Sequence, residues 1–253
     1  MRLRQVALAS SRLDELVKAF AEVFGLKVAY EDPNVGVYGL RNAVLPAGTG
    51  FLEIVEPVRD DASAARFLKR RGGDAGYMVI LQVADAEAER ARAVAMGVRV
   101  VDDIDRPYYR CSHFHPADFG GILASFDQQR TESDHLAPYG EWMPAGSDWR
   151  RARTDDVVDL ASVTISAADP GALARRWSEL LARPLDPTDP LRIPLDHGEV
   201  RFARAAADAA TCVTGVDLKV RDVAQVMRSA EAARLDVSGD GVLIGGVRFR
   251  PVA

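Results

Sequence analysis

The chain has 253 residues, 48% of them hydrophobic and 27% charged, with a formal net charge of −5. This ordinary globular composition excludes a disordered, collagenous or disulfide-stapled chain, and the acidic balance speaks against nucleic acid, whose phosphates need a basic field. A chain this long buries roughly 70–75% of its unfolded surface, so its core needs no structural metal, and it forms one large domain or two of about 125 residues.

No apolar run reaches the ~20 residues of a membrane span, so no membrane partner is expected. The opening MRLRQVALASSRLDEL places acidic residues where a signal peptide keeps its apolar stretch, which makes the cytoplasm the expected location. Cys111 and Cys212 are too few and too far apart for a disulfide framework.

One pattern recurs along the chain: a short strand, a turn, an amphipathic helix, then further strands. Its copies open at Val6 (VALASSRLDELVKAFAEVFGLKV), Val79 (VILQVADAEAERARAVAMGVRV), Val163 (VTISAADPGALARRWSELLARPL) and Val216 (VDLKVRDVAQVMRSAEAARLDV). In the first helix Leu13, Leu16, Val17, Phe20, Val23 and Phe24 form one stripe at the helical period. Asp85, Asp169 and Asp222 stand where helix caps belong, as do Ser10 and Ser11 before the first helix. Gly25 and Gly97 suit left-handed helix ends. Strands expected after the helices are KVAYE, VGVYGL and GFLEIVEPV; then RVVDDI, YYRCSHFH and GGILASFDQ; then RIPLD and EVRFARAA; then VLIG and VRFRPV. The stretch from 129 to 156, rich in Pro, Gly and charge, reads as a linker between a first domain over 1–128 and a second over 157–253. Its Trp142 and Trp149 either pin the linker onto a domain or form a lid over a cleft.

Four strand–helix–strands units in two pairs resemble the vicinal oxygen chelate superfamily, the glyoxalase, bleomycin-resistance and extradiol-dioxygenase group. LRQVALASSRLDELVKAFAEVFGLKV and HPADFGGILASFDQ make the first half most similar to the methylmalonyl-CoA epimerase branch. The resemblance implies an α+β fold of tandem βαβββ units, in two glyoxalase-type domains with curved mixed sheets. It also implies a cup holding a divalent metal on the opening and closing strands of each unit. At those slots this chain carries Gln5 and Glu53, Met78 and Ser125, Ser162 and Arg201, and Gly215 and Arg250. Only Glu53 is typical of the family, so no metal or other cofactor is expected; any metal present would use Glu53 and Gln5.

Strand alternation turns Gln5, Ala7, Ala9, Phe51, Glu53, Val55, Met78, Ile80, Gln82, Leu123, Ser125 and Asp127 toward the first cup. Apolar walls with few polar groups suit a small organic ligand. Glu53, His113 and His115 are the candidate catalytic residues, and Gln5, Tyr77, Met78, Tyr109, Arg110 and Ser125 the candidate ligand contacts. The plain alternatives stay open: His115 as a turn residue before Pro116, His113 as a satisfied edge residue, and Glu53 as a carboxylate satisfied by a neighbour. The second cup gathers Ser162, Thr164, Ser166, Arg201, Asp217, Lys219, Arg248 and Arg250, which reads as an anion site or as a salt network. Two functions fit: a lyase- or isomerase-type proton-transfer enzyme with a degenerate metal site, or a metal-free protein that sequesters a small molecule. A homodimer fits either.

Overall fold

The computed structural model describes residues 1–131, 133–206 and 209–253. The first copy of the repeat is β1 (Arg2–Ala9), α1 (Leu13–Phe24), β2 (Leu40–Ala47) and β3 (Gly50–Pro57), followed by an additional helix, α2 (Ser63–Arg71). The second is β4 (Ala75–Gln82), α3 (Ala86–Ala95), β5 (Val100–Arg106), β6 (Tyr109–Phe114) and β7 (Leu123–Gln129). The third is β8 (Val157–Ala167), α4 (Pro170–Leu181), β9 (Arg192–Pro194) and β10 (Glu199–Arg204). The fourth is β11 (Cys212–Val220), α5 (Val223–Ala232), β12 (Asp236–Ser238), β13 (Gly241–Ile244) and β14 (Val247–Val252). In every copy the opening strand lies parallel to the closing one: Gln5 opposite Phe51, Met78 opposite Leu123, Ser162 opposite Glu199 and Gly215 opposite Arg248. A parallel return needs a crossover, which the helix supplies. The hairpin pairings β2–β3, β5–β6, β6–β7, β9–β10, β12–β13 and β13–β14 are antiparallel, so the sheets are mixed and the fold is α+β as expected.

The aspartate caps form as their positions suggest. Asp85, Asp169 and Asp222 accept from the amides of Ala88, Ala172 and Gln225 at 3.0, 2.9 and 2.8 Å. The first helix starts differently, with Arg12 as its capping position and Ser10 Oγ accepting the Arg12 amide at 2.9 Å. Gly25 closes that helix at φ 65°, a conformation that suits a residue without Cβ.

Two expectations for the first copy are corrected. VGVYGL is not a strand: Pro33–Tyr38 winds into a 3-10 helix, and the strand begins at Leu40. Pro33 fixes φ and has no amide to give a ladder, Asp32 accepts from the Asn34 amide at 2.9 Å, and Gly39 ends the turn at φ 72°. KVAYE is not a strand of its own: it meets the sheet at a single bridge, Tyr30 to Val44, where the Ala29 amide donates to the Val44 carbonyl at 2.8 Å. The helix α2 was not anticipated. Its helix-forming residues end at Gly72, φ 77°, with Lys69, Arg70 and Arg71 in the last turn, where cations meet the negative end of the helix dipole.

By contact the chain falls into two compact units, each discontinuous in sequence. One is Met1–Arg4, Met78–Glu141 and Ser162–Val213; the other is Gln5–Tyr77, Trp142–Ala161 and Thr214–Ala253. In the first unit a run of rings joins the second copy to the third: Phe114, Phe119 and Phe126 pack together, and Trp177 of α4 meets Phe119 at 5.3 Å and Phe202 at 5.9 Å. In the second unit Phe20 and Phe24 of α1 pack on Phe249 of β14, at 4.9 and 6.2 Å. Rings at the helix–sheet boundary thus tie together copies far apart in the chain. Among the described residues no helix is long and apolar enough to cross a membrane.

Candidate functional site

In the second unit, Glu53 stands on β3 beside Ala7 of β1 and opposite Val44 of β2. It is buried, with a residue exposure of 8%. Gln5 Nε2 donates to Glu53 Oε2 at 2.8 Å, and Asn42 Nδ2 donates to Oε1 at 2.7 Å. Asn42 Oδ1 accepts the Asp32 amide at 2.8 Å. Gln5 Oε1 accepts the indole N–H of Trp142 at 2.8 Å. An indole nitrogen only donates, so Trp142 fixes which end of the Gln5 amide faces Glu53. Burial pushes the Glu53 carboxyl above the ordinary carboxylate value, the two amides oppose that, and Asp32 adds to it.

Trp142 and Trp149 are fully buried on this same site. Phe51, two residues before Glu53 on β3, stacks on Trp142 at 6.3 Å and meets Trp149 edge-on at 4.9 Å. The linker is thus seated where the strand alternation places a ligand. It is held further by Arg153 Nε, which donates to the Gly48 carbonyl at 3.0 Å. Tyr77, half-buried, meets Phe67 of α2 edge-on at 5.1 Å.

The first unit holds the histidines, Met78, Tyr109, Arg110 and Ser125. Asp127 is buried on β7 and accepts from both Tyr109 Oη and Ser125 Oγ. Tyr109, Cys111 and His113 follow at the two-residue period of β6. His113 Nε2 lies 3.8 Å from Cys111 Sγ, and its Nδ1 3.8 Å from Asp102. Burial lowers the His113 pKa, with Asp102 opposing; burial raises the phenol of Tyr109 and the thiol of Cys111. Met78 is buried on β4, opposite Leu123.

β6 ends at Phe114, so His115 lies outside the strand and caps the 3-10 helix Pro116–Phe119. Its Nδ1 accepts the Ala117 amide at 3.2 Å and lies 3.1 Å from Arg99 Nη2. Arg110 is buried among carboxylates: Asp105 at 2.6 Å, Asp103 at 3.5 Å, and Glu87. Gln82 Nε2 and Arg4 Nη1 donate to the linker carbonyls of His135 and Pro138, at 2.8 and 2.9 Å. The linker therefore engages strand side chains in this unit as well.

The proposed catalytic set thus divides, with Glu53 in one unit and His113 and His115 in the other. Sequence reasoning did not single out Asn42 or Asp127 as site residues. For Asn42 the available signal was a polar side chain in a mostly apolar strand; Asp127 stands among other polar residues of β7, and only its place on the cup-facing side of the alternation marked it. For the metal, the donor set does not fit. Both oxygens of Glu53 are taken by amides, and among the described residues no three His, Cys, Asp or Glu side chains are grouped to hold an ion.

Of the charges of the expected second cup, Arg201, Asp217, Arg248 and Arg250 have protein partners. Arg250 binds Asp217 through two bonds, 2.7 and 2.9 Å. Arg248 donates to the Ser238 and Gly241 carbonyls, each at 3.1 Å. In the other unit Arg201 and Arg192 share Glu199.

The chain matches the glyoxalase-like domain model over residues 6–181 and belongs to that family, within the vicinal oxygen chelate superfamily. Among solved structures it is similar to methylmalonyl-CoA epimerase from Mycobacterium tuberculosis, 26% identical over 50% of this chain and 86% of that one, TM-score 0.45. A Streptomyces coelicolor methylmalonyl-CoA epimerase, solved with 2-nitronate-propionyl-CoA, is also 26% identical, over 50% of this chain and 96% of that one, TM-score 0.46. A Mn(II)-bound glyoxalase from Novosphingobium aromaticivorans shares the fold over 99% of this chain and 81% of that one, TM-score 0.65 at 13% identity. No curated protein matches the chain.

Proposed function

We propose that the protein is a metal-independent proton-transfer enzyme of the lyase or isomerase type, acting on a small organic molecule, with Glu53 as its acid–base group. The observation that carries this reading is the buried Glu53 carboxyl, raised by desolvation and held by Gln5 and Asn42. A carboxyl raised toward neutral pH can both take and return a proton. The two amides fix its direction, and Trp142 fixes Gln5. The substrate would need an acidic C–H next to a carbonyl, since the site offers a weak base and amide dipoles. The test is a panel of 2-substituted carboxylic acids and their thioesters in D₂O, followed by NMR for loss of the C–H signal. Exchange that falls ~10²–10⁴-fold in Glu53→Gln supports the reading. Exchange that survives the change, or none across the panel, overturns it.

A second reading is a binding protein that sequesters an organic molecule without turning it over. Trp142 favours it, because a ring bonded to Gln5 and stacked on Phe51 is a lid a ligand must displace. Ligand binding that tightens in Trp142→Ala without deuterium exchange supports this alternative.

A further inference from the structure

The strand face that carries Glu53 continues into a partly open apolar patch. Ala9, Val55 and Ala64 form its base, and Leu40, Phe67, Leu68 and Tyr77 pack on it while only partly buried. Val55 and Ala9 follow Glu53 and Gln5 at the two-residue period of β3 and β1, so they lie on the same face. The helix α2 crosses this patch. It presses Phe67 and Leu68 onto the base and leaves Arg66, Lys69 and Arg70 exposed.

Arg66 and Arg70 are one turn apart on α2, hence neighbours on its surface. Neither pairs with a carboxylate among the described residues. Arg66 is held instead by the Asp61 carbonyl and by Ser63 Oγ, the latter at 3.0 Å. The helix dipole accounts for Arg70 in the last turn, but Arg66 lies nearer the start, where a cation is disfavoured. Both guanidinium groups act on Tyr77. Burial and the Glu53 carboxylate raise its phenol, while Arg66 and Arg70 pull it down.

We infer that this patch binds an amphiphilic organic anion, with its apolar body against Phe67, Leu68 and Tyr77 and its anionic group at Arg66 and Arg70. The inference builds on Glu53 as the floor of the ligand site and adds the charge class of the ligand. Guanidinium groups suit a carboxylate, sulfonate or phosphate because their planar donors engage two oxygens at once.

The test compares two fluorescent probes on the full chain: 1-anilinonaphthalene-8-sulfonate and its uncharged relative N-phenyl-1-naphthylamine. The double change Arg66→Gln with Arg70→Gln is expected to weaken the sulfonate five-fold or more and leave the uncharged probe within two-fold. Phe67→Ala weakens both probes, and the remote Arg228→Gln weakens neither. Circular dichroism verifies that each variant is folded. The inference fails if the sulfonate does not bind the unmodified protein, or if the double arginine change moves both probes equally or neither. Glu53→Leu separates the two readings. If it leaves both probes unmoved while the arginine change still acts, the Glu53 site is wrong and the cationic rim stands. If it moves both probes while the arginine change does nothing, the rim is wrong.

Discussion

Replacing Trp142 tests whether the linker is a structural part of the Glu53 site. The indole is fully buried, stacked on Phe51, and donates to Gln5 Oε1 at 2.8 Å. Truncating a buried Trp to Ala costs about 3–5 kcal/mol through lost packing and the cavity left behind. Trp142→Phe keeps a ring on Phe51 but removes the N–H, leaving a buried amide oxygen unpaired, at a cost of about 1–3 kcal/mol. The pair of variants separates packing from hydrogen bonding. For a chain of this size each kcal/mol moves Tm by roughly 2–4 °C. The Ala variant should therefore melt roughly 6–20 °C lower and the Phe variant roughly 2–12 °C lower. Urea unfolding followed by far-ultraviolet circular dichroism measures the loss independently of the tryptophan removed. A double-mutant cycle with Gln5→Met should give a coupling of about 1 kcal/mol. An Ala variant that loses less than about 1 kcal/mol, with no coupling to Gln5, would refute the claim that this ring completes the site.

Glu53→Gln should change the slope of stability with pH. The raised native carboxyl holds its proton more tightly than the unfolded chain does, so unmodified protein loses stability as pH rises from the ordinary carboxylate value through the raised one. The variant lacks this loss, so its stability relative to the unmodified protein should climb over that window, whatever constant offset the new amide brings; a flat difference in urea unfolding between pH 4 and 8 contradicts the shift. Gly48→Ala should destabilise by more than about 2 kcal/mol, because φ is +68° and the new Cβ would lie 2.0 Å from the Val158 carbonyl oxygen. Thermal melting reads this directly, and an unchanged Tm would refute that close approach. Tyr109→Phe removes a donor to the buried Asp127 and should cost about 1.5–3 kcal/mol in urea unfolding. Dialysis against a chelator should leave Tm unchanged, since a stoichiometric ion that binds the native state would add stability; a drop restored by one divalent metal would overturn the metal-independent reading.

The sequence by itself determined the repeat. Helical stripes, aspartate caps and alternating strands are local signals with fixed periods, and each of the four copies was readable from them. Alternation turned Gln5 and Glu53 toward the same side of the sheet, and it was the family resemblance that marked the two as a pair of slots. Two local features were misread for local reasons. Pro33 and Gly39 turned an apparent strand into a 3-10 helix, and the basic surface of SAARFLKRR left few apolar anchors, Ala64, Phe67 and Leu68. What only the tertiary structure decided is which distant residues meet. Trp142 reaching Gln5, Trp177 meeting Phe119, and Phe249 joining the rings of α1 are contacts across long stretches of chain. No period encodes them, because they arise when buried polar groups must find partners and rings must fill space left by elements far away in sequence.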